Sequence, residues 1–393
     1  MRKGWEYKKL GEVTSFFRGL TYSGKDEVDY SNNVVLRSNN IDLSTNSLNF
    51  DELKFISDSI TIPQDKKLRK NSIFMCMSNG SKQHLGKVAF IDKDYPYAFG
   101  GFMGLILPNE DKLVPKYTYY YFCSQKFKAY LSAIGNGANI NNIKYIDIAK
   151  DNIPLPPKST QLAIVSELDK INELIRLKKE QLKDFDNLAQ SLFYEMFGDP
   201  VENEKGWEVK KLGEVCSIGT GSTPNRKNKD FYENGTYPWV KSTEVCNLPI
   251  YSVEEYITEE ALKNSNCTLY PQNTILMAMY GQGKTRGQIG LLKIKACTNQ
   301  AVAAIMPTKE VVDEIFLCQH LMLMYEHIRN MARGGNQANL NLSIVKSIQI
   351  ILPPLQHLFA QRIEQIEREK SEVQKSIQDL ETLLASRMQY WFE

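Results

Sequence analysis

Apolar residues recur in steps of three and four along two long stretches of the chain. From Thr160 the series is Leu168, Ile171, Ile175, Leu182, Phe185, Ala189, Leu192 and Met196, with Lys178 at the one polar step. From about Leu355 it is Ile363, Ile366, Val373, Ile377, Leu380 and Leu384, with Lys370 at the polar step and Arg387 and Trp391 at the end. This spacing predicts two helices with heptad seams, which together read as a coiled coil. Each helix would run for roughly 38 residues, about 57 Å at the α-helical rise. That is too long for one small domain to cover. The Glu, Lys and Gln residues around the seams favour helix and stay solvated. A lysine within a seam fixes register and partner at some cost in stability. Gly198-Asp199-Pro200 ends the first helix.

Elsewhere the pattern is shorter. "NSIFMCMSNG" (71–80) and "NTILMAMYGQG" (273–283) are apolar runs closed by glycine, each a buried strand ending in a loop. "KYTYYYFCSQKFKAYLSAI" (116–134) and "DEIFLCQHLMLMYEHIRNMA" (313–332) predict helices. Pro and Gly punctuate the remainder as turns.

The two halves repeat one another. "GWEYKKLGEV" (4–13) returns as "GWEVKKLGEV" (206–215) with a single substitution. "GNGANINNIKYIDIAKDNIPLPP" (135–157) is matched by "RGGNQANLNLSIVKSIQIILPP" (333–354), and each Pro-Pro pair leads into a long helix. A period near 200 residues is too long for a solenoid repeat. It describes a duplicated module: a globular region over 1–157, a helix over 158–199, a second globular region over 200–354 and a second helix over 355–393. Trp5 and Trp207 are expected to anchor each opening strand in a core.

Composition narrows the function classes. Apolar content of 42% and charged content of 24% suit an ordinary chain with more than one core. Net charge is only +2, yet residues 1–157 hold 21 Lys+Arg against 16 Asp+Glu, so the balance is uneven. A basic face matters more for nucleic acid than the total does. The seven cysteines are odd in number and include no CxxC pair, which predicts free thiols in a reducing cytoplasm. "MRKGWEYKKL" lacks the apolar core of a signal peptide. No apolar run approaches the length of about 18 residues needed to span a membrane.

Corresponding loops carry the candidate site. "GQGKT" (281–285) suggests a phosphate-binding loop, but the Walker spacing requires glycine where Ala278 stands. The alternative is a basic loop after a strand, offering Gln282, Lys284, Thr285, Arg286 and Gln288 to phosphate oxygens or base edges. The matching loop, "SNGSKQHLGK" (78–87), offers Asn79, Ser81, Lys82, Gln83, His84 and Lys87. "FFRGLTYSGK" (16–25) and "GTGSTPNRK" (219–227) correspond as well, with Arg18 and Thr21 in one and Thr220, Ser222, Thr223 and Arg226 in the other. So do "LRSNNI" (36–41), with Arg37 and Asn39, and "PWVKSTEV" (238–245), with Lys241 and Ser242. Any one of these residues equally suits turn chemistry or a strand end. His84, His320, His327 and His357 form no metal-ligand spacing, and Ser–His–Asp and His-Glu-x-x-His sets are absent. An Asn-Pro-Pro-Tyr-like loop, expected of an adenine-N6 methylase, is also missing. The features concern recognition and geometry rather than catalysis.

The order of these motifs resembles the specificity subunit of type I restriction–modification systems. The resemblance rests on "GWxxxxLGEV", "GTGSTP", "YPWVKS", "MAMYGQGKTRGQIG", "TNQAV", "LRSNNI", "MCMSNGS" and the Pro-Pro ends, and covers essentially the whole chain. The first half departs from it, with "GLTYSG" for the "GxTP" phrase and no "GQGKT", which implies that the two domains read different sequences. The resemblance implies an α/β fold: two mixed α/β target recognition domains joined by an antiparallel coiled coil, with a pseudo-twofold duplication. It implies a partner in double-stranded DNA, read as a split asymmetric site, together with two methylase subunits and added restriction subunits. It implies no catalysis and no cofactor in this chain, S-adenosylmethionine, ATP and magnesium belonging to the partners. A nucleotide hydrolase, a coiled-coil interaction protein and a solitary DNA-binding regulator remain as alternatives.

Overall fold

The computed structural model describes residues 4–81, 84–135, 142–247, 249–281, 283–332 and 339–393. The chain divides into two compact units, Met1–Lys178 with Ser376–Glu393, and Lys179–Lys375. The division falls within both long helices rather than at the 157/158, 199/200 and 354/355 boundaries, so each unit keeps part of each helix.

In the first unit the opening phrase becomes the strand Glu6–Lys9, paired antiparallel with Asn152–Leu155 just before the Pro-Pro pair. In the second, Val209–Lys211 pairs antiparallel with Gln349–Ile351. The repeated phrase is therefore the strand that fastens the start of each unit to its end. "LGEV" follows as one helical turn in both copies, burying Leu10 and Val13, and Leu212 and Val215. The tryptophan ahead of each strand meets a long helix. Trp5 stacks on Trp391 at 6.3 Å in the first unit. Trp207 donates its indole N–H to the Phe197 carbonyl at 2.9 Å in the second.

Each unit has an antiparallel central sheet. In the first unit the order is Thr14–Arg18, Met103–Pro108, Ser72–Cys76, Val88–Ile91. In the second it is Cys216–Thr220, Val302–Pro307, Ile275–Ala278, Ile289–Leu292, with Pro249–Ile250 added in parallel at the edge. Ser72–Cys76 and Ile275–Ala278 are buried along their whole length, which explains why they read as continuous apolar runs. A smaller mixed sheet accompanies each. Ala98–Phe99 runs parallel to Asn33–Leu36, and Cys297–Thr298 runs parallel to Tyr237–Val240.

The close approach of this smaller sheet requires glycine at one matched position. A Cβ on Gly19 would lie 2.0 Å from the Gly100 carbonyl oxygen, and one on Gly221 would lie 1.8 Å from that of Thr298. Both distances are far inside contact, so any side chain there would push the sheets apart.

The expected helices 116–134 and 313–332 are each broken in two. Pro115–Cys123 stops at the buried Ser124, whose extended backbone (ψ 153°) ends the helix and whose hydroxyl accepts from the Phe127 N–H to open Gln125–Gly135. Glu314–Leu323 gives way to Tyr325–Asn330 at Met324.

The long helices span Lys158–Phe197 and Gln356–Phe392. Gly198 ends the first in the left-handed region at φ 79°, its N–H returning to the Tyr194 carbonyl. As the first helix advances from Glu167 to Asp186, its partner recedes from Arg387 to Lys370, so the pairing is antiparallel. Leu168, Ile171, Ile175, Ile363, Ile366, Val373 and Ile377 are buried, while Leu182, Phe185, Leu192, Leu380 and Leu384 are half-buried. At each helix's C-terminal end the buried face moves one residue along. Phe193 and Phe197 are fully buried beside half-buried Leu192 and Met196, and Phe392 is buried beside half-buried Trp391. The helix end there faces its unit's own core: Phe197 packs edge-on to Phe316 at 5.0 Å, and Phe392 lies 5.3 Å from Tyr117.

Candidate nucleic-acid interface

In the first unit the smaller sheet and the central sheet end side by side, and an open cleft of about 800 Å³ lies over their junction. Five of the sequence candidates meet in its lining: Arg18, Thr21, Arg37, Asn39 and Asn79. Arg18 is the last residue of its strand, opposite Gly104, and Lys66 steadies that end by donating to the Arg18 carbonyl at 2.9 Å. Arg37 follows Asn33–Leu36 directly, where the chain enters the single turn Ser38–Asn40. The turn is held from within. Buried Asn40 accepts from the Arg37 N–H at 2.8 Å and donates to the Asn49 and Glu52 carbonyls. Asn79 donates to Ser38 Oγ at 3.0 Å, tying the 78–81 loop to this turn, and Asn39 donates to Glu52. Ser81 is exposed beside Asn79, its N–H bonded to Asn79 Oδ1. Lys82 and Gln83 lie outside the described residues.

The electrostatics of the cleft are one-sided. The Arg37 Nε is buried with no hydrogen-bond partner. Among the described residues neither Arg18 nor Arg37 forms an ion pair. The carboxylate in the lining, Glu27, is engaged by Lys54 at 2.6 Å, and that hydrogen bond holds it below the usual carboxylate range. Burial and the neighbouring Glu27 push the Tyr22 hydroxyl up. Arg18 is exposed and Arg37 half-buried, and although the Arg37 charge also acts on Glu27, the ion pair of that carboxylate is with Lys54, an arrangement that leaves guanidinium groups suited to phosphate oxygens or to a guanine edge.

Lys87 is a correction to the sequence reading. It is 8% exposed and turned inward, donating to the Ile41 carbonyl at 2.9 Å, and burial pulls its ammonium below the usual lysine range. The last residue of its loop already belongs to the approach of a buried strand, so its long side chain reaches the interior rather than solvent.

The second unit places its candidates at matching positions but engages most of them internally. By strand register Thr220, opposite Ala303, takes the place of Arg18. Its hydroxyl donates to the Val302 carbonyl at 2.8 Å. Lys241 takes the place of Arg37, and its ammonium is bound by Glu254 at 2.7 Å, which raises its proton affinity. Arg226 forks onto Glu255 and stacks over Tyr232 and Trp239 at 4.6 and 4.8 Å. The Arg226 hydrogen bond keeps Glu255 below the usual carboxylate range. Thr223 donates to Gln300 Oε1 at 2.5 Å. The Ser222 carbonyl receives the Trp239 indole N–H, and Ser242 opens the turn Ser242–Glu244.

The 281–288 loop turns directly from Ile275–Ala278 into Ile289–Leu292, with no helix after it. A phosphate-binding loop needs that helix N-terminus, so the nucleotide reading of "GQGKT" has no structural support. The loop is instead braced from behind. Tyr325 donates its hydroxyl to the Lys284 carbonyl at 2.6 Å, and Arg329 donates to that of Arg286 at 3.0 Å. Lys284 is exposed, Thr285, Arg286 and Gln288 are half-buried, and Gln282 lies outside the described residues.

Sequence reasoning passed over Phe102 and Tyr22 in the cleft, Gln300 in the second unit and the Tyr325–Arg329 brace, and it read Glu254-Glu255 as a solvated stretch, whereas they bind Lys241 and Arg226. Gly100-Gly101 was the available signal for Phe102, since paired glycines mark an exposed turn. Among the described residues no cluster of His, Cys, Asp and Glu could hold a metal ion, and no helix is long and apolar enough to cross a membrane.

These features define a two-headed recognition protein, with a duplicated sheet-based reader carried on paired helices. Residues 2–184 and 204–382 each match the type I restriction modification DNA specificity domain, and the chain belongs to that family. It is 24% identical over 374 residues to the type I restriction enzyme MjaIX specificity subunit of Methanocaldococcus jannaschii, covering 90% of this chain and 84% of that one. Over 184 residues it is 29% identical to the StySPI specificity subunit of Salmonella potsdam, covering 46% of this chain and 39% of that one. Its fold is similar to that of the type I restriction–modification S subunit from M. genitalium, with a TM-score of 0.56, 15% identity, and coverage of 99% of this chain and 96% of that one. A chain from a study of complex assembly and conformational transition of the type I R-M system gives a TM-score of 0.61 at 18% identity, covering 99% and 97%.

Proposed function

We propose that this chain is the sequence-reading, non-catalytic subunit of a type I restriction–modification complex. Each unit reads one half of a split, asymmetric site on double-stranded DNA. The paired helices set the gap between halves and dock two methylase subunits, with restriction subunits joining to complete the nuclease. S-adenosylmethionine, ATP and magnesium are expected on those partners, and the assembly is expected to work in the cytoplasm. The exposed Leu174, Leu177, Leu188 and Leu383 supply apolar surface on the helices for such docking.

The observation that carries the reading is the first unit's cleft, where among the described residues Arg18 and Arg37 form no ion pair while their own strands and turns are firmly held. Cations held ready in this way favour a polyanion whose charge supplies what the protein omits. Co-expression with a methylase subunit from the same host, followed by mapping of methylated adenines, tests the proposal. A single split motif with a constant gap is the expected result. A copurifying methylase with no such motif would overturn the reading of the units as DNA readers.

A further inference from the structure

We propose that Phe102 is a stacking wedge that enters the base stack of the first half-site. The inference rests on the cleft of the first unit being a DNA-facing surface. Phe102 lines that cleft and is 73% exposed, an unusual position for a large apolar ring beside two arginines. Among the described residues no other aromatic side chain stacks on it.

The backbone beneath the ring is fixed. The Phe102 carbonyl accepts from both the Met77 and Ser78 N–H groups, at 2.9 and 3.1 Å, and the Met103 N–H closes the turn onto the Gly100 carbonyl at 2.8 Å. The ring is therefore held out on a rigid turn and is not the end of a loose loop. It is the one exposed large side chain of the turn, since Met103 is buried. Gly100 and Gly101 come before it, and a Cβ on Gly101 would stand 3.2 Å from Thr21 Oγ1. That bare approach lets a base step come close without displacing protein.

The duplicated copy supplies the contrast. The Met279 N–H donates to the Ala301 carbonyl at 2.8 Å, as Met77 does to Phe102, so Ala301 is the matching residue. The second turn reads Asn299-Gln300-Ala301, with its functional group an amide held by Thr223. One turn of the fold thus presents a ring in one copy and an amide in the other. An apolar side chain pushed between base steps unstacks them and bends the duplex, and ring–base stacking tolerates any base because every base has a π-face. Arg18 and Arg37 line the same cleft and could receive the phosphates of a backbone displaced there.

The test uses the full chain with its methylase subunit and the duplex recovered by methylation mapping, with 2-aminopurine placed at successive purine positions. Wild type should raise the fluorescence at one step of the first half-site. Phe102→Ala should abolish the rise and weaken binding roughly tenfold or more, whereas Phe102→Trp should keep both. An unchanged rise in Phe102→Ala overturns the wedge. So does a wild-type complex with no rise at any position, even where Phe102→Ala weakens binding, since the ring would then be a surface contact only. If Arg18→Ala and Arg37→Ala both leave affinity unchanged, the assignment of the cleft fails and the wedge with it. If they weaken binding and Phe102→Ala does not, the wedge alone fails.

Discussion

Arg37 and Lys241 stand at the same step of the duplicated fold, each capping the single helical turn that follows a strand of the smaller sheet, yet only Lys241 is bound to a carboxylate. Their main chains are held alike. The Arg37 N–H donates to Asn40 and the Lys241 N–H to Glu244, at 2.8 and 2.7 Å. The difference lies in the side chains around them. Glu254 and Glu255 face Lys241, whereas Lys54 occupies the register of Glu255 in the first unit and pairs with Glu27 instead. The two heads therefore share geometry and differ in charge.

Arg37→Ala should weaken the first half-site by about 1–3 kcal/mol and relax sequence preference there if the guanidinium reads a base. If it grips phosphate, preference should hold while the salt slope falls by about 0.9. Competition binding with single-base variants, repeated across salt, separates the two.

Glu254→Gln should tighten binding at the second half-site. The substitution removes a negative charge that both repels phosphate and holds Lys241. Exposed pairs of this kind are worth about 0.2–1 kcal/mol, so the gain should be a few-fold. Affinity titrations in a Lys241→Ala background should show a smaller gain, since only the repulsion of phosphate is then relieved.

Lys87→Ala should cost stability and leave the salt slope of DNA binding unchanged. The buried Ile41 carbonyl loses its donor, at about 1–3 kcal/mol for a group left unsatisfied. Denaturant midpoints together with salt-dependent binding check both halves of the expectation.

His320 should make the second unit sensitive to acid. Its Nε2 accepts from the Ile351 N–H at 3.1 Å, and burial pulls its pKa from 6.5 down to about 4. The unfolded chain takes up a proton near the ordinary value while the folded chain does not. Stability from this group is therefore full above pH 6.5 and falls as the pH drops towards 4, by at most about 3 kcal/mol. His320→Gln keeps an acceptor for Ile351 without a titrating group. Thermal melts across this range should show a flatter decline for the variant.

Lys370→Leu should raise the melting temperature and loosen helix register. Burial disfavours the Lys370 ammonium, but Asp186 and Glu367 at 2.8 and 2.9 Å outweigh it and raise its proton affinity. A seam lysine trades stability for a unique alignment. Thermal melts of Lys370→Leu check the first half, and crosslinking of cysteine pairs introduced elsewhere along the two helices should become less selective in the Lys370→Leu background.

The heptad period, the duplication and the buried strands were legible because local rules produce them: spacing in steps of three and four makes a stripe on any helix, and a run such as Ser72–Cys76 must be covered on both faces. What each polar side chain does was not legible, because it depends on neighbours far away in sequence. Lys87 reaches Ile41 across 46 positions, Arg226 meets Glu255 across 29, and Tyr325 braces Lys284 across 41. The sequence marked only a glycine turn ahead of Phe102, and the fold decides that the ring on it faces outward. By itself the sequence determined two sheet-rich heads, two seamed helices and the loops between them. Only the tertiary structure decided which cations in those loops stay uncommitted, since a charge is available only where folding brings no opposite charge within hydrogen-bond reach.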